Sequence, residues 1–128
     1  MYYSLQLKRK KEKLKMKWYL KVIQNNYANF NGRACRKEYW MFFLIHMLFL
    51  ITWMIIGIIN DSPLIFGIYI LITIIPNLAV TVRRLHDINK SGWFLLISFI
   101  PYLGNFILLI FLIMEGNKSD NVYGPSTS

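Results

Sequence analysis

Three stretches of this chain carry no charged side chain: Tyr39 to Asn60, Ser62 to Val82 and Gly92 to Met114, of 22, 21 and 23 residues. At about 1.5 Å of rise per residue, each would extend roughly 31 to 34 Å as a helix. The hydrocarbon core of a bilayer is about 30 Å thick and is crossed by about 20 apolar residues. The soluble alternative needs three helices that are apolar on every face inside 128 residues. Almost no polar chain would remain to cover them, which the surface-to-volume limits of a small domain forbid. Charged residues make up 16% of the chain, against about 25% in a soluble domain. The sequence therefore predicts one all-α membrane domain with three transmembrane helices, about 39–60, 62–82 and 92–114.

The first two stretches are separated only by Asn60, Asp61, Ser62 and Pro63. Asp61 or Ser62 is expected to cap the next helix and Pro63 to sit in its first turn, closing a tight antiparallel hairpin. Pro76 should kink the second helix, and Pro101 with Gly104 the third. A re-entrant third segment is the alternative, but each arm would have only about ten residues, so a kinked single span is preferred. Eleven Lys and Arg precede Tyr39, three lie in 83–91, one follows Met114 and none falls in 60–63. Positive charge stays on the cytosolic side. The amino terminus and the 83–91 loop are thus expected in the cytosol, and the 60–63 turn and carboxyl terminus outside it, in a multi-pass protein of the bacterial inner (plasma) membrane. The first forty residues are basic and aromatic and do not resemble a signal peptide, whose apolar core and small-residue cleavage site are missing. Cys35 is the sole cysteine; on the cytosolic side it stays reduced.

Residues 1–17 end in the charge run KRKKEKLKMK and are expected to be a disordered basic extension. From Trp18 onward Tyr19, Val22, Ile23, Tyr27 and Phe30 recur at helical spacing, predicting an amphipathic interfacial helix over 18–31. Each basic residue near an anionic leaflet contributes about 1 kcal/mol, so anionic lipid, not nucleic acid, is the expected partner of this segment.

NGRACRKEYW at 31–40, RRLHDINKSGWF at 83–94 and NVYGP at 121–125 resemble the signature stretches of a bacterial inner-membrane family, the YhaH-like domain of unknown function 805. The resemblance runs from about Met16 to Pro125 and implies a small multi-span protein of no established activity. It also makes residues 1–15 an extension and Met16 a candidate start. Cys35 stands where the family usually has Ser, which would weaken an S-x-x-E capping box to its Glu38 half. Phe94 and Lys90 replace a common Trp and Arg.

The 83–91 loop gathers the most polarity between apolar stretches. Arg83 and Arg84 suit the carboxyl end of a helix, Ser91 can cap the next, and Trp18, Trp40 and Trp93 read as interface anchors. His86 and Asp87 diverge by about 100° on a helix; Asp87 is expected to pair with Arg33, Arg36, Lys37, Arg83 or Arg84. Together Arg33, Arg36, Lys37, Arg83, Arg84, His86, Asp87 and Lys90 form a predicted cytosolic pocket for an anionic phospholipid headgroup or a protein partner. Within the membrane, His46 and Asn77 lie at equal depth and are expected to hydrogen-bond. The tail, 115–128, is polar and turn-like. The chain lacks a metal-ligand cluster, a phosphate-cradling Gly loop and paired carboxylates. No catalytic residue, metal or cofactor is therefore expected. The preferred reading is a non-enzymatic lipid- or protein-binding membrane component, which could be a homo-oligomer. The alternatives are a subunit of an oligomeric transporter or channel and, behind it, a headgroup enzyme using His86 and Asp87.

Overall fold

The computed structural model describes residues 1–127. Its elements are α1 (Tyr2–Leu20), a π-helical turn (Lys21–Asn25), α2 (Arg36–Ile59), α3 (Leu64–Asp87), a 3₁₀ helix (Gly92–Phe99) and α4 (Leu103–Ile113). Among the described residues two helices, α2 and α3, are long and apolar enough to cross a membrane. Their distal halves expose large aliphatic side chains such as Ile58, Ile59, Leu64 and Leu71, as a hydrocarbon solvent requires.

The α2–α3 hairpin forms as expected, but its chemistry differs. Asp61 adopts a left-handed conformation with φ 48°, and the Ser62 amide donates to the Gly57 carbonyl at 2.9 Å. This is the 6→1 bond that closes a helix carboxyl end. Asp61 and Ser62 thus terminate α2, while Pro63 occupies the cap of α3 with no side-chain bond.

The third apolar stretch is not one helix, contrary to the expected span over 92–114. The 3₁₀ helix stops at Phe99, Tyr102 turns back with φ 60°, and α4 begins at Leu103. A Cβ on Gly104 would lie 1.7 Å from the Ile97 carbonyl oxygen, so the two arms pack backbone to backbone. At about 2.0 Å per 3₁₀ residue and 1.5 Å per α residue, each arm reaches only about 16 Å. Pro101, lacking an amide hydrogen, cannot continue the first arm. The segment enters and leaves at the same end of the bundle.

The amino-terminal segment also departs from expectation. Residues 1–17, predicted to be disordered, belong almost entirely to α1. Lys, Arg, Glu, Leu and Met are strong helix formers, and the chain has no Gly before Gly32 and no Pro before Pro63. The helix expected over 18–31 ends at Asn25 instead. Its apolar residues face protein: Val22 is fully buried, and the Tyr19 ring stacks on Phe42 at 5.5 Å between centroids.

The core therefore lies at one end of the bundle. Val22, Ala34, Tyr39, Phe42, Val80 and Leu112 form one buried cluster, drawn from the amino-terminal segment, the start of α2, the end of α3 and the end of α4. Deeper along the helices, His46 meets Tyr69, not Asn77: the Tyr69 hydroxyl lies 2.8 Å from His46 Nδ1. Thr52, Thr73 and Thr81 return their hydroxyls to the carbonyls four residues earlier, the habit of Thr in a helix with no water to bond.

Candidate functional site: a buried ion-pair cluster

At the core end, the last turn of α3 meets the segment before α2 and the carboxyl tail. Asp87 accepts from Arg33 Nε at 2.9 Å, from Arg84 Nη1 at 2.5 Å and from the Thr127 hydroxyl at 2.7 Å. The side chains of Arg33, Arg84 and Asp87 are 1%, 0% and 3% exposed. A second pair lies beside it: Glu38 accepts from Arg83 Nη1 at 2.7 Å and from Lys21 Nζ at 2.8 Å. Two carboxylates thus answer three buried arginines and the partly exposed Lys21; for the buried groups, unpaired charges could not persist.

Backbone carbonyls engage the remaining guanidinium nitrogens of two arginines. Arg33 donates to the carbonyls of Ser119 at 2.9 Å, of Gly124 at 3.3 Å, and of Asn117. Arg84 donates to Leu112 at 3.2 Å and to Met114. Arg83 Nε and Nη2 are buried with no hydrogen-bond partner among the described residues. The tail is held in return: the Asn117 amide donates to the Asp87 carbonyl at 2.8 Å, and a Cβ on Gly116 would collide with Asp87 Oδ2 at 2.0 Å.

His86 turns away from Asp87. Its Nδ1 lies 3.0 Å from the Gly32 carbonyl, and its ring stacks on Tyr123 at 3.9 Å and 3°. Asn121 Nδ2 donates to the His86 carbonyl at 2.9 Å, while Asn121 and Gly124 close a tight turn by exchanging backbone bonds. NGRACRKEYW, RRLHDINKSGWF and NVYGP therefore assemble into one unit. The tail, expected across the bundle from the 83–91 loop, packs directly against it.

The predicted pocket is correspondingly divided. Arg33, Arg83, Arg84, His86 and Asp87 converge, but as a closed network and not as an open anion site. Arg36 and Lys37 are exposed; with Trp18, Glu115 and Thr127 they border a cleft of about 420 Å³ that reaches Asp87. Lys90 leaves the cluster and lies over the Phe94 and Phe111 rings at 5.5 and 5.9 Å. Among the expected anchors, Trp93 is 78% exposed, while Trp18 and Trp40 are half-buried. Sequence reasoning missed Lys21 and Thr127, gave Glu38 only a local cap, and gave Tyr123 a place in a signature stretch but no partner. Glu38 and Lys21 had a signal, since both opposite charges precede the first span on the same side; Thr127 had none.

The profile of the family described as "Protein of unknown function (DUF805)" matches residues 27–125, which contain all three assembled stretches. The chain is 44% identical to "Inner membrane protein YhaI" of Escherichia coli strain K12 over 114 residues, covering 85% of this chain and 93% of the relative. It is 38% identical to "Inner membrane protein YhaH" of the same strain over 119 residues, covering 86% and 95%. No solved structure matches the chain. With two membrane-length helices and relatives of this kind along nearly its whole length, the chain belongs to the DUF805 family and is an integral protein of the bacterial inner membrane whose activity is unknown.

Proposed function

We propose that this protein is a non-enzymatic, lipid-binding component of the inner membrane, and that its outward-facing cations hold anionic phospholipid at the cytosolic leaflet. The division of the basic residues carries this reading. Arg33, Arg83 and Arg84 are buried against Asp87 and Glu38. Arg36 and Lys37, by contrast, are exposed, as are Lys8, Arg9, Lys10, Lys11, Lys13 and Lys17 of α1. Trp18 borders the cleft beside Arg36 and Lys37, so the basic helix α1 leads into the same end of the bundle. Each such cation near an anionic surface contributes about 1 kcal/mol.

None of the Lys and Arg lies between Trp40 and Val82, which supports a cytosolic position for the whole cluster. The tail, held to Asp87, then lies in the cytosol too, with α2 and α3 crossing and 92–113 re-entering from that side. A non-enzymatic role is favoured because His86 and Asp87 form no acid–base pair: Asp87 is shared by two guanidiniums, and His86 Nδ1 turns to the Gly32 carbonyl instead.

Native mass spectrometry of the full chain, extracted gently from membranes, tests the reading. Arg36→Gln and Lys37→Gln together, with Lys13→Gln and Lys17→Gln, should lower retained phosphatidylglycerol and cardiolipin severalfold without moving the unfolding midpoint. Unchanged lipid content would overturn it. Arg83 and Arg84 are unsuited to this test, because their loss strands buried carboxylates.

A further inference from the structure

A second site lies on the other side of His86. A groove of about 520 Å³ runs between α3 and the 3₁₀ helix, walled by Leu78, Val82, Leu96 and Trp93. That volume is within the range of about 300 to 1,000 Å³ typical of small-molecule pockets. Its floor is tight, since a Cβ on Gly92 would meet Val82 at 2.7 Å. The groove is apolar along its length, with His86, Ser91 and Asn31 as its polar lining. No Lys, Arg, Asp or Glu lines it among the described residues.

The imidazole is set for one kind of partner. A carbonyl only accepts, so the Nδ1 that faces Gly32 carries the proton. In the neutral ring Nε2 is then an acceptor. Nδ1 and the ring face are engaged, by Gly32 and by Tyr123; Nε2 has no hydrogen-bond partner among the described residues, although His86 is only 9% exposed. The Ser91 hydroxyl accepts from the Trp93 amide at 3.4 Å and keeps its own proton to donate. A ligand for this groove needs a hydrocarbon chain, an uncharged head and a hydroxyl donor. A phosphate or ammonium here would be desolvated with no countercharge in the lining.

We propose that the groove holds one acyl chain of a diacylglycerol, with the free glycerol hydroxyl donating to His86 Nε2. The groove shares no lining residue with the cleft beside Arg36 and Lys37 and does not depend on it.

The test uses the full chain in phosphatidylcholine vesicles and a diacylglycerol probe carrying a diazirine in one acyl chain. Photolabelling should map to 78–82 and 93–96. It should exceed labelling by the O-methyl ether of the same probe about three- to tenfold, the ratio for one net hydrogen bond. Leu96→Trp, which narrows the groove from a half-exposed position, should reduce labelling of 78–82 and 93–96 by both probes. His86→Asn keeps a donor to Gly32 and removes the Nε2 acceptor, so hydroxyl and ether probes should then label equally. Equal labelling of the wild type by both probes would overturn the proposal, as would labels mapping elsewhere or a phosphatidylglycerol probe labelling the groove better. The wild-type comparison decides even where a variant fails to fold.

Discussion

Replacing Asp87 by Asn removes one charge and almost no volume, which isolates what the buried carboxylate does. In the native cluster Oδ1 faces Arg33 Nε and Thr127, and Oδ2 faces Arg84 Nη1. An amide supplies one acceptor and one donor in their place, so an N–H group must confront the guanidinium N–H of either Arg33 or Arg84. Both arginines keep their carbonyl partners, and the loss is therefore chiefly electrostatic. An exposed ion pair is worth about 0 to 1 kcal/mol. Breaking a buried one by deleting a single partner costs about 3 to 5 kcal/mol, because the surviving charge is left uncompensated. With exposures of 1% and 0% for the two arginine side chains, the second figure applies. Asp87→Asn should thus destabilise the protein by about 3 to 5 kcal/mol. Equilibrium unfolding in mixed micelles, followed by tryptophan fluorescence and far-ultraviolet dichroism, measures this. Adding Arg84→Met removes one stranded cation, and the double variant should regain at least about 1 kcal/mol over Asp87→Asn alone, the non-additivity of residues in contact. A loss under about 1 kcal/mol for Asp87→Asn would refute the reasoning and put the cluster in the class of solvated surface pairs.

Four further outcomes are expected. Cys35→Ser should stabilise by about 0.5 to 1 kcal/mol, since Cys35 caps α2 without a side-chain bond; Glu38 is committed to Arg83 and Lys21 and cannot complete the box, and a lowered unfolding midpoint would contradict this. A fluorescent protein fused at the carboxyl terminus should glow and alkaline phosphatase there should stay inactive; active phosphatase would mean that 92–113 crosses the membrane. His46→Phe should cost about 0.6 kcal/mol, the average for a membrane hydrogen bond, and Tyr69→Phe the same, with the double variant no worse than either single; additive losses would exclude their pairing. Gly104→Ala should destabilise by about 1 to 3 kcal/mol as an overpacked site, and trypsin cleavage at Lys118 should quicken as the tail loosens; unaltered cleavage would show that the two arms are not closely packed.

Hydrocarbon imposes so simple a demand on α2 and α3, apolar length and closed backbone bonding, that their sequence suffices to reveal them. The same demand leaves 92–114 ambiguous. A run of 23 apolar residues satisfies it by crossing once or by entering and returning, and the break at Pro101 is visible without saying which. Arg84 takes the Leu112 and Met114 carbonyls and so holds the end of the segment beside the last turn of α3. Acceptors of that kind belong to every residue and leave no mark in a sequence. The tail is equally silent, because Arg33 reads the carbonyls of Asn117, Ser119 and Gly124 and not their side chains. Glu38 shows the opposite failure: its spacing from Cys35 suggests a local cap, yet the structure gives it to Arg83, 45 residues away. The same limit governs function. Counting Lys and Arg at one membrane face treats them as equivalent, whereas burial divides them, committing Arg33, Arg83 and Arg84 to internal carboxylates and carbonyls. Whatever anion this face attracts must therefore be met by Arg36, Lys37 and the lysines of α1, where solvent and salt screen the interaction. Lipid retention should accordingly fall with ionic strength, while the stability contributed by the Asp87 cluster should scarcely change.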